Sequence, residues 1–235
     1  MKLFIIFVTL ALTLNPSHAQ DADTIKTDGK VFRLDGIDAP EIDQSCLDGA
    51  GEIYPCGRLA AEQLNKLIGD QSAHCEDHGA DTVHKNRRIG RCFARDGTDI
   101  NRWLVQQGWA INFEPYAKGR FKSDEDEARA GQFGVWKGCF VAPQDFRRWN
   151  SKTAALRGPH CLADAREKLF PDDPAMPPGC SIKGKFSLRA FPYQGIYHEP
   201  GCGSYRRTKK HERWFCSEED AWAAGFRRSL TCWWR

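Results

Sequence analysis

The spacing of apolar positions predicts strands in the first part of the chain. Residues 31–37 alternate apolar and polar side chains and are interrupted by a glycine and followed by a proline, as at the end of a strand that turns. Residues 20–45 as a whole are expected to form strands joined by tight turns. Two further strands are predicted at about 72–76 and 90–94.

Three segments carry the features of helices. Residues 58–69 and 100–107 have apolar groups at helical spacing, and each segment ends in or is followed by a glycine. Residues 123–133 are acidic at the N-terminal end, which the helix dipole favours. Short strands, helices and turn glycines together predict an α+β fold, a small mixed barrel with helices packed on it.

The N-terminus has the pattern of a secretory signal peptide. Lys2 is followed by an apolar run at 3–14 and then by small residues, so cleavage is expected after Ala19. A membrane anchor is the alternative, but the run is too short to span a bilayer and no later segment could span one. We therefore expect residues 1–19 to be removed and the mature protein to be secreted or periplasmic.

Export changes the interpretation of the ten cysteines, because an even number in an oxidising compartment is typical of a disulfide framework. They are Cys46, Cys56, Cys75, Cys92, Cys139, Cys161, Cys180, Cys202, Cys216 and Cys232. Cys75 and Cys92 fall on the two strands predicted to pair, so a bridge is expected there. Cys46 and Cys56 bracket one loop, which a bridge would stiffen. A zinc site is the alternative, but the sequence has no CxxC pair.

Composition and charge divide the chain. The overall content, 41% hydrophobic and 28% charged residues, is ordinary for a soluble globular protein. Residues 20–150 hold 18 Lys and Arg against 22 Asp and Glu, whereas residues 180–235 hold 11 against 5. The proline-rich stretch 170–179 is typical of a linker. We expect a main domain at 20–150, a linker at 151–179 and a basic, Cys-rich module at 180–235.

The basic module would attract a polyanion first. Its candidate nucleic-acid-binding residues, interleaved with aromatic side chains, are Arg206, Arg207, Lys209, Lys210, Arg227 and Arg228. A disulfide-stapled appendage with a solvated basic surface is an equal alternative.

Charged residues that could perform chemistry cluster around the strand at 31–37. Asp23, Asp38 and Glu41 offer carboxylate oxygens, which hard cations such as Ca²⁺ prefer. Glu41 could act on water as a general base. Arg33 could bind phosphate through its planar fork of donors. Taken singly, each of these residues is as well explained as a surface charge or a turn former.

Three ordered motifs include this cluster and extend beyond it. They are Phe32-Arg33-Leu34 with Ile37-Asp38-Ala39-Pro40-Glu41, then Arg88-Ile89-Gly90-Arg91 with Gln107-Gly108-Trp109-Ala110, then Glu127-Ala128-Arg129 with Gly134-Val135-Trp136. Together they resemble the staphylococcal-nuclease (thermonuclease) family over roughly residues 21–149. The resemblance implies an OB-type five-stranded β-barrel with three helices and Ca²⁺-assisted cleavage of phosphodiester bonds in DNA, with RNA as a further substrate.

The resemblance also implies roles for individual residues. Arg33 and Arg91 match the two phosphate-binding arginines, and Glu41 matches the general base. Asp23 and Asp38 match the calcium ligands. Ala22 stands where the family has glycine, and little strand is left before Asp23 after the predicted cleavage. A less firmly anchored metal site is therefore expected.

The tail resembles a module appended to bacterial secreted nucleases, and more faintly the Cys₄ zinc domain of the Ada DNA-repair family. The CxxC that such a zinc domain needs is missing, so bridges 202–232 and 180–216 are expected instead. The sequence as a whole favours an exported calcium-dependent endonuclease with no membrane partner. A catalytically silent nuclease-fold module that binds nucleic acid or a protein is the alternative, and a disulfide-rich structural protein is a third possibility. Oligomeric state is left open.

Overall fold

The computed structural model describes residues 18–82, 84, 86–148, 152–171, 174–209 and 211–232. All but two residues of the predicted signal peptide, and the candidate Lys210, lie outside the described residues. The strands are β1 (His18–Asp21), β2 (Thr24–Thr27), β3 (Lys30–Leu34), β4 (Ile37–Asp38), β5 (Cys46–Leu47), β6 (Ile53–Tyr54), β7 (His74–Ala80), β8 (Arg87–Phe93), β9 (Ile111–Asn112), β10 (Phe140–Val141), β11 (Leu156–Arg157), β12 (Ile182–Phe186), β13 (Gly195–His198), β14 (Arg213–Phe215) and β15 (Phe226–Arg228). The helices are α1 (Cys56–Ile68), α2 (Ile100–Gln106), α3 (Glu114–Ala117), α4 (Lys122–Ala130), α5 (Pro143–Arg148), α6 (Ala165–Leu169) and α7 (Glu218–Ala223), with short 3₁₀ turns at Gly134–Lys137, Leu188–Ala190 and Leu230–Cys232.

The main sheet has the strand order β1-β2-β3-β8-β7. Strand β3 runs parallel to β8, and the other neighbours are antiparallel. Phe32 and Leu34 of β3 are buried in the core, so the period of two puts Arg33 on the opposite face. The α+β class is confirmed, and closure of these five strands into an OB-type barrel stays a prediction.

The predicted helices are present at nearly the predicted bounds, as α1, α2 and α4. In α1, Ala60, Leu64 and Ile68 recur every four residues and pack into the core with β1. Asp99 caps α2 by accepting a hydrogen bond from the backbone N–H of Arg102. The short helices α3, α5, α6 and α7 were not predicted.

The C-terminal module is built on a second sheet, with the order β14-β12-β13-β15 and α7 packed beside it. The segment before it contains ordered elements. Strand β11 pairs with β10, and α6 packs in one cluster with Leu47, Val141 and Phe146. The domain boundaries, including the linker expected at 151–179, stay a prediction.

Five disulfides join the cysteines in pairs, and no described cysteine is free. The pairs are Cys46–Cys56, Cys75–Cys92, Cys139–Cys161, Cys180–Cys216 and Cys202–Cys232. Four of them are the bridges expected from the sequence, and 139–161 is the addition. Such a framework is typical of an oxidising, extracytoplasmic compartment. None of the helices that the structure describes has the length and apolarity to cross a bilayer.

Candidate active site

Strands β2, β3 and β4 bring Arg33 between two buried carboxylates. One terminal nitrogen, Nη2, lies 2.9 Å from Asp23 Oδ2 and 3.0 Å from Asp38 Oδ1. Asp23 directly precedes β2, whose Thr24 pairs with Arg33, and the backbone oxygen of Asp23 accepts from the N–H of Leu34 at 2.8 Å. Asp23 is buried and held by these contacts rather than exposed at a loose end. The cleavage point expected after Ala19 falls inside β1.

The two aspartates respond differently to this burial. Burial opposes ionisation of Asp23, but the guanidiniums of Arg33, Arg147 and Arg87 outweigh it and hold its pKa below the ordinary value. At Asp38, burial prevails over Arg147 and Arg33, so the pKa is raised. The Oδ2 atom of Asp38 is buried without a hydrogen-bond partner. The site therefore contains a desolvated carboxylate oxygen with spare capacity for a positive group.

Arg147 of α5 is a second cation at this centre, and no sequence motif indicated it. Its Nη2 lies 2.8 Å from Asp38 Oδ1, and its Nη1 lies 2.7 Å from Glu41 Oε1. The side chain is largely buried, and the two carboxylates outweigh burial and raise its pKa. Its partners stand more than 100 residues earlier in the chain, so no local pattern could have revealed it.

Glu41 follows β4 in a loop that is fixed by backbone contacts. The N–H of Gln44 donates to the Glu41 oxygen at 2.8 Å, and the Gln44 side chain accepts from the Glu41 N–H at 3.3 Å. The start of α1 approaches this loop so closely that a Cβ on Gly57 would lie 1.6 Å from the Glu41 oxygen. The Cys46–Cys56 bridge ends at the residue before Gly57. The general-base candidate is thus placed on a rigid support.

Arg91 is not among the groups that contact Arg33 or its carboxylates. Its guanidinium donates to Asp99 at 3.0 and 2.8 Å and lies over the ring of Phe93. Arg87, at the start of the same strand, is nearly fully buried, pairs with Asp81 at 2.8 Å and lowers the pKa of Asp23. Arg87 pairs with Val31 where β8 runs beside β3, and Val31 is two residues before Arg33. Because side chains alternate along a strand, this register is the signal that could have indicated Arg87.

A cavity of about 450 Å³ opens beside this centre. Its cationic side is formed by Arg33, Arg87 and Arg147. Phe113 and Tyr116 line it as well, with ring centroids 5.5 Å apart. The sequence left both aromatic residues without a role.

The acidic groups could hold a hard cation, because Asp23 and Asp38 offer carboxylate oxygens and Asp38 Oδ2 is unpartnered. Asp21 adds a third carboxyl, and burial, then Asp23 and Glu41, raise its pKa well above the ordinary value. A cation here would relieve that repulsion. Over the described ranges, the three-residue set whose ligand atoms already converge within 4.8 Å is Glu199, Cys202 and Cys232, but its cysteines form a disulfide.

The basic residues of the C-terminal module are dispersed. Arg228 pairs with Glu199 and lies near Glu218, and Arg227 donates to the Arg228 backbone oxygen. Arg206 and Arg207 are exposed in a turn, and Lys209 is exposed after it. Their role in nucleic-acid binding stays a prediction.

Comparisons with known proteins match the two parts of the chain separately. A family model described as Staphylococcal nuclease homologue matches residues 31–138, and one described as ArfC matches residues 170–228. The succinoglycan biosynthesis protein ExoI of Rhizobium meliloti (strain 1021) is 36% identical over 118 residues. That match covers 50% of this chain and 61% of ExoI.

Proposed function

Residues 31–138 belong to the staphylococcal-nuclease-like family, and from this premise we propose that the protein is an exported, calcium-dependent endonuclease of DNA and RNA. The observation that carries the proposal is the position of Arg33. Its guanidinium is held by two buried carboxylates at a cavity that two further guanidiniums line. Three fixed positive groups around one cavity suit a phosphodiester, whose nonbridging oxygens gain charge during hydrolysis.

The chain's own residues divide the work of hydrolysis. Arg33 and Arg87 bind the nonbridging oxygens of the phosphodiester. Glu41 takes a proton from the attacking water as the new oxygen–phosphorus bond forms. The bond to the leaving oxygen breaks, and that oxygen takes up a proton from solvent water. Arg147 donates a hydrogen bond to Glu41 and holds that carboxylate in place. Arg91, expected from the sequence as the second phosphate ligand, would first have to leave Asp99.

Ca²⁺ is the proposed cofactor, and Asp23 and Asp38 are its proposed ligands. The oxygen donor set and the unpartnered Oδ2 of Asp38 support this choice. When bound, the ion would supply positive charge against the oxygens of the phosphate.

The experiment is a cleavage assay with the oxidised mature protein on DNA and RNA, with Ca²⁺ or with a chelator. Calcium-stimulated cleavage is expected, and Arg33→Ala or Glu41→Gln should lower it by roughly 10²–10³ while the fold is retained. Circular dichroism and disulfide content serve as the folding control. Near-wild-type cleavage by either folded variant contradicts the assignment of these residues.

The second candidate is a silent module that binds nucleic acid or a protein partner. It is favoured by Arg147, which already bonds to both Asp38 and Glu41 and neutralises them without a metal. On this alternative, oligonucleotides would bind without being cut at any calcium concentration. ExoI is named for succinoglycan biosynthesis, so succinoglycan is a useful competitor in the same binding assay.

A further inference from the structure

The C-terminal module is fastened to the loop that carries Glu41. Arg213 of β14 is buried, and its Nε and Nη2 lie 3.0 and 2.6 Å from the two carboxylate oxygens of Asp43. The rings of Phe146 and Phe215 each lie 4.7 Å from the same guanidinium. A bidentate pair enclosed by aromatic rings fixes geometry far better than a surface ion pair. The module is therefore held in one position relative to the active-site loop.

From this anchor the module forms a second wall of the active-site cavity. The wall consists of Gln194 and of Ala223, Ala224 and Gly225, which follow one another at the end of α7. Gln194 is tied to it because its N–H donates to the Gly225 oxygen at 2.9 Å. Gly225 has a φ of +78°, and a Cβ there would lie 3.3 Å from the Gln194 side chain. The wall carries no charge, and Arg33, Arg87 and Arg147 line the same cavity.

The surfaces of the cavity correspond to the parts of one nucleotide. The arginine side suits the phosphate. Phe113 and Tyr116 offer ring faces for stacking. Gln194 is exposed, and its side-chain amide makes no hydrogen bond to any other described residue. An amide that presents both a donor and an acceptor can bond to the edge of a nucleobase.

Resting on the proposed nuclease function, we propose that the C-terminal module restricts this site to single strands and that Gln194 contacts the base. A cavity of about 450 Å³ is of the size that encloses one small ligand. In a single strand Gln194 can bond to the Watson–Crick edge of the base, and in a duplex that edge is already paired. The complementary nucleotide would also need the space that the Ala223–Gly225 wall fills.

The test compares a labelled single strand with a duplex of the same sequence. Binding is measured by fluorescence anisotropy with the full oxidised protein carrying Glu41→Gln, and cleavage is measured with the wild type. We expect the single strand to bind at least about tenfold more tightly and to be cut correspondingly faster. Equal affinity for strand and duplex overturns the inference. Selective single-strand binding without cleavage supports the inference and contradicts the nuclease function instead.

Gln194→Ala tests the base contact. It should weaken single-strand binding by about three- to tenfold, and it should level the differences between oligo-dA, oligo-dC and oligo-dT. Gln107→Ala is the matched control, because Gln107 is an exposed glutamine at the end of α2 outside the cavity lining. An unchanged base preference in Gln194→Ala rules out this residue as the base contact.

Discussion

At the scale of single residues, the arginines near the site differ in the carboxylates that they pair with. Arg33 and Arg147 share the carboxylates of the site, whereas Arg91 is engaged by Asp99. The charged cluster around one strand, and the family that its motifs resemble, pointed to Arg33, Asp38 and Glu41, which are close in sequence. Arg147 could not be identified in that way, since its contacts depend on how α5 packs.

The contrast between Arg87 and Arg91 gives a kinetic prediction. Arg87→Ala should lower the turnover of DNA by roughly 10²–10³, because it removes a buried donor that lines the cavity. Arg91→Ala should change turnover by less than about tenfold, since Arg91 does not line the cavity. Steady-state cleavage by both variants, with Arg88→Ala as an exposed control and thermal melts for all three, makes the comparison. The reverse order of effects would restore Arg91 as the second phosphate ligand.

Asp220 gives a prediction about pH and stability. Burial, together with the negative charges of Asp43 and Glu41, raises its pKa to about 6. The folded state binds this proton more tightly than the unfolded chain, so its contribution is complete below the ordinary value of 3.8 and is lost as the pH rises through about 6. Asp220→Asn should therefore raise the free energy of unfolding at pH 7.5 by on the order of 1 kcal/mol.

Urea unfolding at pH 4 and pH 7.5 checks this sign. The variant and the wild type should converge at pH 4, where Asp220 is protonated in the folded state. Asp126→Asn, on the exposed side of α4, is the control for the removal of one carboxylate charge. A variant that is less stable than the wild type at pH 7.5 would show that the Asp220 charge is favourable in the folded protein.

At the scale of elements, the sequence located the helices because apolar periodicity and terminal glycines coincide there. Strand β7 was recognised only in part, since most of its residues are polar and at least partly exposed, so its far end has no apolar signature. The two-residue strands β5, β6, β9, β10 and β11 are too short for any period to be visible. They exist because tertiary packing brings their partners together.

The contact between α1 and the Glu41 loop gives a prediction at this scale. Gly57→Ala should destabilise the protein by about 2–4 kcal/mol, because the added Cβ would overlap the Glu41 backbone oxygen. Thermal unfolding and DNA cleavage should both decline. Gly203→Ala is the matched control, since a Cβ there meets nothing within 4 Å. Wild-type stability in Gly57→Ala would mean that the loop can move aside at little cost.

At the scale of the whole molecule, two parts that match different families share one cavity. The sequence suggested two units and most of the disulfides, but it could not show that they meet. The Arg213–Asp43 pair joins residues 170 positions apart, and Arg58 donates to the Pro178 backbone oxygen across the same boundary. Such contacts depend on shape complementarity rather than on any sequence pattern.

The contribution of the Arg213–Asp43 ion pair to the position of the C-terminal module can be tested with a single and a double variant. Arg213→Met should cost about 3–5 kcal/mol of stability, because it leaves Asp43 buried without its partner. Adding Asp43→Asn removes that charge and should recover part of the loss. In the double variant, the preference for single strands over duplexes should fall toward unity, as measured by anisotropy. If the double variant keeps the full preference for single strands, Gln194 and Ala223–Gly225 are held in place without the Arg213–Asp43 pair.

The loop from Glu41 to Gln44 receives support from α5 through Arg147 and from β14 through Arg213. Strand β14 is in turn tied to the start of its module by Cys180–Cys216. On the proposed function, cleavage activity is therefore expected to depend on this bond, which oxidative refolding followed by thiol alkylation and cleavage assays would test. On the proposed function, a chain in a reducing compartment would lack this bond, and its nuclease activity is expected to be lower than that of the oxidised protein.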